Sequence, residues 1–457
     1  MKKLILTMFI PLLFISCGDN FTSLSPLSNR SVSNFYNNQT DFELAIRGAL
    51  DGLQRRETFG VNFVLFMEMR ADNGANGGGA TGLAASLEQL DTFTDLPDGD
   101  EIAATYDAVY NVIASCNNII ARIDGADFDS EVVRSQIKGE ALFIRSLLYY
   151  HMAVIFGNVP LQLEEVTTPD IDVNQVSASA IYDQVITDLT QAENLLPDNT
   201  RITKWAAAAL LGRVQLANGN PSGAVGPLRR VMDSMQYELV PDYADLFGAA
   251  NEGNIESIFE IQFISGNVGE GSAYTDLYTP LGVGGNVGGG GAPQDVTDEV
   301  LDIFEAGDER FDATIDTSDP NIDPWVRKFI SNPTVAFDGD NNWMELRYAE
   351  VLLNLAEALG EGLEAYDLIN EVRDRAELGD ISAATPGTFE EKLLQERRVE
   401  FAFENKRWAD LKRFGVAKST MAAHLGIPET QVTLLFPIPQ GAIDVSPDQM
   451  DQNPEHK

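Results

Sequence analysis

The chain has 457 residues, of which 70 are acidic and 31 are basic, and its formal net charge at pH 7 is −39. This surplus of carboxylates disfavours binding to nucleic acid and to anionic lipid headgroups, because both need a basic protein surface. The hydrophobic fraction of 44% is ordinary for a folded globular protein. Two cysteines are too few for a disulfide scaffold, and three histidines make a zinc enzyme or histidine-based catalysis an unfavoured interpretation.

The first segment has the features of a bacterial export signal. Two lysines precede an almost wholly apolar stretch, Leu4 to Ile15, which is too short to span a bilayer. A small residue directly before Cys17 resembles a lipobox, in which the chain is cut before the cysteine and the cysteine is acylated. The sequence therefore predicts a signal peptide at 1–16, a lipidated Cys17 and a polar tether at 17–40. The alternative is ordinary secretion with cleavage near this point.

Most of the remaining chain has the apolar periodicity of helices joined by short turns, which is typical of a tetratricopeptide-like stack. Long irregular segments interrupt the helices, and segments of this kind often carry function. We expect one body at 41–457 with loop-rich insertions at about 72–100 and 265–342. The sequence predicts a strand over 257–263 and helices over 42–53, 101–123, 131–156, 178–196, 203–217, 221–235, 345–359, 363–375 and 389–413.

The sequence signals for a catalytic, a phosphate-binding or a metal site are weak. The glycine-rich stretch 282–292 lacks the Lys-Ser/Thr of a phosphate-binding loop, so we interpret it as a plain loop. Glu396 and Glu400 lie one helical turn apart, but neighbouring arginines would lower their pKa values, whereas a glycosidase acid needs a raised one. The segment 338–342 resembles the start of an EF-hand loop but departs from it afterwards; we prefer a turn, with a weak cation site as the alternative. The sequence thus predicts no enzyme activity, no metal and no cofactor.

Two further groups of residues are interpreted as structural. Cys116 lies in an apolar helical run, which favours a buried, unreactive thiol. Arg347, Glu350, Asn354 and Glu357 form a polar stripe on one helix face, and we predict that they take part in a network of ion pairs and hydrogen bonds between helices.

Aromatic side chains in the irregular segments are the candidate ligand contacts, because sugar rings stack on aromatic faces while polar neighbours bind their hydroxyl groups. The alternative for each ring is that it pins its own loop to the core. Phe329 and Phe337 are loop aromatics of this kind. The predicted ligand-binding residues are Arg70, Asp72, Asn73, Phe93, Tyr274, Tyr278, Trp325 and Trp343.

Taken in order along the chain, several segments resemble the SusD/RagB family of outer-membrane lipoproteins. After the lipobox come "GEALFIRSLLYYHMAVIFGNVPL", "KWAAAALLGRVQLANGN" and "RYAEVLLNLAEAL". The most specific segment is "LQERRVEFAFENKRWADLKRFG", and "LLFPIPQGAIDVSPDQMDQNP" closes the chain as family members close. The segment "RAELG" departs from the family, which often has glycine after Arg-Ala.

The resemblance implies a mainly α protein with about four tetratricopeptide-like helix pairs, few short strands and a loop-rich irregular part that holds the ligand site. It implies a non-catalytic, lipid-anchored protein at the cell surface that delivers oligosaccharides to a SusC-like TonB-dependent outer-membrane transporter. Some family members bind peptides instead, and a surface hydrolase or a purely structural adaptor are further alternatives. The negative charge favours a neutral glycan over an anionic one, unless the few basic residues gather at the site.

Overall fold

The structure is a computed structural model that describes residues 35–75, 84–168, 171–288 and 295–457. The predicted signal peptide, Cys17 and most of the tether lie outside the described residues. The described part is mainly helical, as predicted. Its α-helices are α1 Gln39–Gln54, α2 Asn62–Glu68, α3 Ala84–Asp91, α4 Asp100–Arg122, α5 Glu131–Phe156, α6 Ala178–Leu195, α7 Lys204–Ala217, α8 Pro221–Asp233, α9 Tyr274–Tyr278, α10 Asp298–Leu301, α11 Arg310–Thr314, α12 Tyr348–Leu359, α13 Leu363–Arg375, α14 Phe389–Glu400, α15 Arg407–Arg413, α16 Ala417–Leu425 and α17 Gln440–Val445.

The strands of the described residues are short and form antiparallel pairs. They are β1 Gly74–Ala75, β2 Val159–Pro160, β3 Gln175–Val176, β4 Ser257–Ile261, β5 Asp295–Val296, β6 Ile315–Asp316, β7 Trp325–Val326 and β8 Trp343–Arg347. Strand β4 pairs with β8, and the position of β4 agrees with the predicted strand. The other pairs are β1 with β5, β2 with β3, and β6 with β7.

Eight helices form the body of the protein. Each packs on the next in the order α1, α4, α5, α6, α7, α8, α12 and α13, which gives four consecutive pairs and confirms the predicted stack. Glycines permit close crossings within the pairs. A Cβ on Gly139 would lie 2.8 Å from Leu196 Cγ at the end of α6, and one on Gly212 would lie 2.4 Å from Leu228 Cδ2 on α8.

Two helix predictions near the C-terminus are wrong in their bounds. Helix α12 begins at Tyr348 rather than at 345, because Trp343 to Arg347 extend along β4, with Trp343 opposite Ile261. The predicted helix 389–413 is two helices, since Phe403 and Asn405 adopt left-handed backbone conformations with φ of 66° and 59°. The turn between α14 and α15 places the Glu404 carboxylate against Arg347 in the protein interior.

The loop-rich insertions contain short elements that the sequence did not predict. They include α3 in the first insertion and α9 to α11 in the second. After α1, the chain makes one π-helical turn over Arg56–Gly60, and this turn faces the loop 265–273 across an open cleft. Within the described ranges, no helix combines the length and the apolarity needed to cross a bilayer.

Candidate functional site

The predicted aromatic residues of the second insertion form a buried cluster. The ring of Trp343 lies 5.0 Å from that of Tyr274 and 5.7 Å from that of Phe329, and Tyr278 lies 5.0 Å from Phe329 (centroid to centroid). The Tyr274 hydroxyl donates to the Phe59 carbonyl at 2.5 Å, and the Trp343 indole N–H donates to Glu345 at 3.1 Å. The Tyr274 hydrogen bond ties the insertion to the π-helical turn Arg56–Gly60, and the ring contacts pack the insertion against Trp343 of β8.

The remaining predicted rings are buried too. Phe93 and Phe436 flank the Arg70 guanidinium, whose central carbon lies 4.5 Å and 4.2 Å from the two ring centroids. Arg70 also pairs with Asp95 and donates to the Thr433 hydroxyl at 3.0 Å. Trp325 lies in the short strand β7. Arg70 therefore holds the first insertion against the C-terminal segment.

Asp72 and Asn73 are held by arginines of the C-terminal motif. Arg407 donates to both Asp72 carboxylate oxygens, at 2.7 Å and 2.8 Å, and Arg398 donates to Asn73 Oδ1 at 3.0 Å. Burial alone would raise the pKa of Asp72, but its hydrogen bonds and ion pairs with Arg407 and Arg398 hold that pKa below its usual value. Asp72 is thus a charged anchor at neutral pH.

None of the eight predicted ligand-binding side chains exposes more than 8% of its surface. The structure therefore favours the alternative interpretation, in which each of them holds its own loop in place. Direct ligand contact by any of these residues stays a prediction. Phe337 differs from the rest of the loop aromatics, because its residue surface is 42% exposed.

The paired glutamates Glu396 and Glu400 lie inside an arginine network. Arg310 Nη1 donates to Glu396 at 2.6 Å and to Glu400 at 3.0 Å, and Arg347 Nη1 donates to Glu400 at 2.5 Å. Burial by itself would raise the pKa of Glu400, but Arg375, Arg347 and Arg310 hold it well below its usual value. Glu400 therefore lacks the raised pKa that an acid catalyst needs.

The same C-terminal motif makes the predicted network between helices. Arg397 donates to Asn354 at 2.7 Å and to Asp410 at 2.8 Å, and Arg413 donates to Glu357 at 2.6 Å. The polar stripe is therefore structural, as predicted. Cys116 is buried as predicted, and burial raises the pKa of its thiol to about 12.

Asp338, in the segment that resembles the start of an EF-hand loop, is engaged by the protein itself. Its Oδ2 accepts backbone N–H groups of Gly266 and Asn267, at 2.9 Å and 2.8 Å. The carboxylate closes the loop 265–273 against the segment that carries Phe337. This contact favours the turn interpretation.

The open site with an exposed aromatic ring lies where α1 ends. We call it the Phe337 cleft, and it has a volume of about 240 Å³. Phe337 has a left-handed backbone with φ of 55°, and its N–H donates to Asp276 Oδ2 at 2.8 Å, which fixes the ring at the edge of the cleft. The cleft is lined by Asp51, Gln54, Arg55, Arg56, Gly60, Val61, Gly269, Gly271, Ala273 and Phe337.

The local backbone directs two arginines of the cleft towards solvent. Helix α1 ends at Gln54, and the extended conformation of Arg55 starts the π-helical turn. Buried Thr58 closes this turn, because its hydroxyl lies 2.9 Å from the carbonyl oxygens of both Gly52 and Leu53. Arg55 and Arg56 consequently remain exposed at the mouth of the cleft.

A second polar pocket of about 340 Å³ adjoins the Phe337 cleft, since Asp51 and Gln54 line both. Gln54 Nε2 donates to the Gln262 carbonyl and so bridges α1 and the segment that follows β4. Arg47 of α1 and Glu270 both line this pocket. The two cavities together offer a mainly polar surface with one exposed aromatic ring, that of Phe337.

A larger groove of about 520 Å³ lies elsewhere, between α4, the segment after β2 and the α17 region. Its lining is mainly apolar, and several of its polar groups already bond to protein. The Tyr110 hydroxyl donates to the Pro160 carbonyl at 2.6 Å, and Asn117 Nδ2 donates to the Gln162 carbonyl at 3.0 Å. This groove suits an apolar ligand better than a sugar.

Sequence reasoning named Phe337 as a loop aromatic but missed its polar partners Asp51, Gln54, Arg55 and Arg56. The available signal was the arginine doublet directly after a helix, in a chain with few basic residues. The doublet becomes informative only when the loop 265–273 is known to lie opposite it.

Two family models match the chain. The model described as "SusD family" matches residues 312–456, and the model described as "Starch-binding associating with outer membrane" matches residues 67–216. SusD-like protein P2 of Formosa agariphila is 26% identical over 462 aligned positions, which cover 90% of this chain and 91% of that protein.

Solved structures agree over nearly the whole described fold. A laminarin-binding SusD-like protein superposes with a TM-score of 0.81 and 26% identity, covering 92% of this chain and 100% of that one. Surface glycan-binding protein A from Bacteroides fluxus superposes with a TM-score of 0.79 and 25% identity, covering 91% and 99%. With both family models, the relative and the fold in agreement, this chain belongs to the SusD/RagB family.

Proposed function

We propose that this protein is a non-catalytic, cell-surface glycan-binding lipoprotein that captures oligosaccharides and delivers them to a SusC-like TonB-dependent transporter. The observation that carries the proposal is the Phe337 cleft, where an exposed ring lies beside hydrogen-bonding side chains. The names of similar family members, one laminarin-binding and one surface glycan-binding, support the ligand class.

The chemistry of the cleft fits a sugar chain. One face of Phe337 would stack on the apolar C–H face of a sugar ring, as aromatic side chains do in ligand sites. Arg55 and Arg56 would donate to hydroxyl oxygens, and Asp51 would accept from hydroxyl groups. Gln54 has its amide N–H engaged by Gln262, which leaves its oxygen to accept. The adjoining pocket would take the next sugar unit.

Attachment to the outer membrane is the second part of the proposal. A signal peptide at 1–16 and acylation of Cys17 would anchor a single body, 41–457, through the tether at 17–40. Two or more acyl chains give a stable anchor, whereas one gives a marginal one. Mass spectrometry of the protein extracted from the outer membrane is expected to show a triacylated or diacylated N-terminal cysteine. An unmodified N-terminus at a residue other than Cys17 would contradict the lipid anchor but not the proposed glycan binding.

Capture of a peptide is the second candidate function, and the 520 Å³ groove favours it. Its apolar lining from α4 and the α17 region would accept side chains rather than sugar hydroxyls. A Tyr110→Ala variant would then weaken ligand binding, whereas Phe337→Ala would leave it unchanged.

Calorimetric titration of the chain from residue 18 onwards distinguishes these functions. We expect oligosaccharide binding that Phe337→Ala weakens and Tyr110→Ala does not, with no release of shorter products. Tight peptide binding without glycan binding would support the second candidate. Release of shorter sugars on incubation with polysaccharide would instead indicate a hydrolase.

A further inference from the structure

Almost every described cation is engaged by the protein. All but two of the described lysines and arginines make ion pairs or hydrogen bonds with protein groups. They range from the Lys412 ammonium, which donates to the Val154 carbonyl, to the exposed Lys457, which lies 3.8 Å from Asp451. Among the described residues, Arg47 and Arg56 are the two basic side chains without such a partner.

The location of these two arginines is informative. Exposed arginines need no partner, but this chain has more than twice as many acidic as basic side chains, so a neighbouring carboxylate is the ordinary outcome. Arg56 lines the Phe337 cleft, and Arg47 lines the pocket that adjoins it. Arg55 lies between them in sequence, and its pair with Asp51 is long at 3.5 Å and half exposed on both sides. Three available guanidinium groups therefore gather around one site.

The side chains that line the cleft have a net charge opposite to that of the whole molecule. Arg55 and Arg56 line it with a single carboxylate, Asp51, which leaves one positive charge in excess among these side chains. The opposite wall is glycine-rich; the carboxylates of Asp338 and Asp276 lie behind it and already accept backbone N–H groups. The adjoining pocket is closer to neutral, because Glu260 and Glu270 lie there with Arg47 and Arg201.

We infer that the Phe337 cleft selects an oligosaccharide with an anionic substituent, either a carboxylate or a sulfate ester. This inference rests on the proposed function and names the ligand class of the same site. The planar guanidinium of Arg56 donates two parallel hydrogen bonds, which match the oxygens of a carboxylate or a sulfate. The ring of Phe337 would stack on the sugar that carries the group. The surrounding negative surface would repel an anion that cannot reach these arginines.

The test compares three probes by calorimetry: an oligogalacturonate, a sulfated carrageenan oligosaccharide and a neutral laminari-oligosaccharide of similar length. At least one anionic probe is expected to bind about tenfold or more tightly than the neutral one, which is the effect of one charge-assisted hydrogen bond. Raising NaCl from about 50 mM to about 500 mM should weaken that binding, because screening acts on the charged probe. The two anionic probes separate carboxylate from sulfate recognition.

Substitutions then locate the effect. Arg56→Gln should weaken binding of the anionic probe about tenfold and binding of the neutral probe much less, because a neutral sugar loses only a hydrogen bond to a hydroxyl oxygen. Arg56→Lys should retain part of the preference for the anionic probe. Arg229→Gln is the matched control, because Arg229 is exposed and pairs with Glu364 outside the cleft. The inference would be overturned if the wild type bound neutral and anionic probes equally, and if this binding were lost in Phe337→Ala but kept in Arg56→Gln. The proposed function would then still stand. Absence of binding to all three probes and to a wider glycan panel would overturn both.

Discussion

Phe337 is the residue on which the proposed site depends most, and Phe337→Ala is the perturbation that tests it. The side chain is exposed and its backbone N–H, not its ring, makes the contact with Asp276. Removing the ring should therefore weaken ligand binding without unfolding the loop. The free energy of unfolding is expected to change by less than about 1 kcal/mol, as at ordinary surface positions.

The size of the effect follows from the exposed surface. An aromatic side chain presents about 200 Å² in all, so the 42% exposed fraction corresponds to about 80 Å². At about 25 cal/mol per Å², complete coverage by a ligand is worth about 2 kcal/mol, and coverage of one ring face about half of that. Phe337→Ala should therefore raise the Kd for the bound oligosaccharide about 5- to 30-fold.

Calorimetry on the chain from residue 18 onwards measures this change directly. Val335→Ala is the matched control, because Val335 lies two residues away, is equally exposed at 42% and does not line the cleft. The control should bind like the wild type. Equal affinities in all three proteins, with intact folding, would refute the reasoning that the ring contacts the ligand.

Four further predictions concern the scaffold. Glu400→Gln should lower the free energy of unfolding in urea by about 3–5 kcal/mol, because it leaves buried arginines without their shared carboxylate; a change below about 1 kcal/mol would contradict the network. Gly212→Val should cost about 1–3 kcal/mol, since the added carbons would overlap Leu228; an unchanged urea midpoint would contradict this close approach of α7 and α8. The Cys116 thiol should react with Ellman's reagent only after unfolding, because burial raises its pKa to about 12; rapid reaction of the native protein would contradict that burial. Burial raises the pKa of Glu68 from 4.5 to about 8, so the folded state holds a proton that the unfolded state releases across this range. Stability should fall as pH rises through that range, and Glu68→Gln should remove this part of the slope; equal slopes in the two proteins would contradict it.

Much of the scaffold could be predicted because its signals are local. Helix α5 has the predicted bounds, 131–156, since Ser130 caps its start and Gly157 ends it with a positive φ of 73°. The wrong bounds near the C-terminus have a non-local cause. Glu345 to Arg347 read as helix in sequence, but the pairing of this segment with β4, far away in the chain, fixes it as a strand.

The site was harder to predict than the fold, because loop composition does not reveal burial. Phe337 lies in the second insertion and Trp343 directly after it, and the sequence presents both as loop aromatics. The structure nevertheless leaves Trp343 1% and Phe337 42% exposed. The difference arises from packing against β4 and α9, which sequence pattern does not encode. Arg56 could not be recognised as a candidate ligand contact either. Whether its guanidinium is free to bind a ligand depends on which of the many carboxylates lie near it in space.

Hydrogen exchange with and without a bound oligosaccharide tests the central claim most directly, because it reports where the ligand lies. The account predicts slower exchange in the α1 end and π-helical turn, residues 51–61, and in the loop 265–273, with no change along α4 or α17. Protection confined to the groove between α4 and α17, or no protection at saturating ligand, would contradict the assignment of the Phe337 cleft as the binding site.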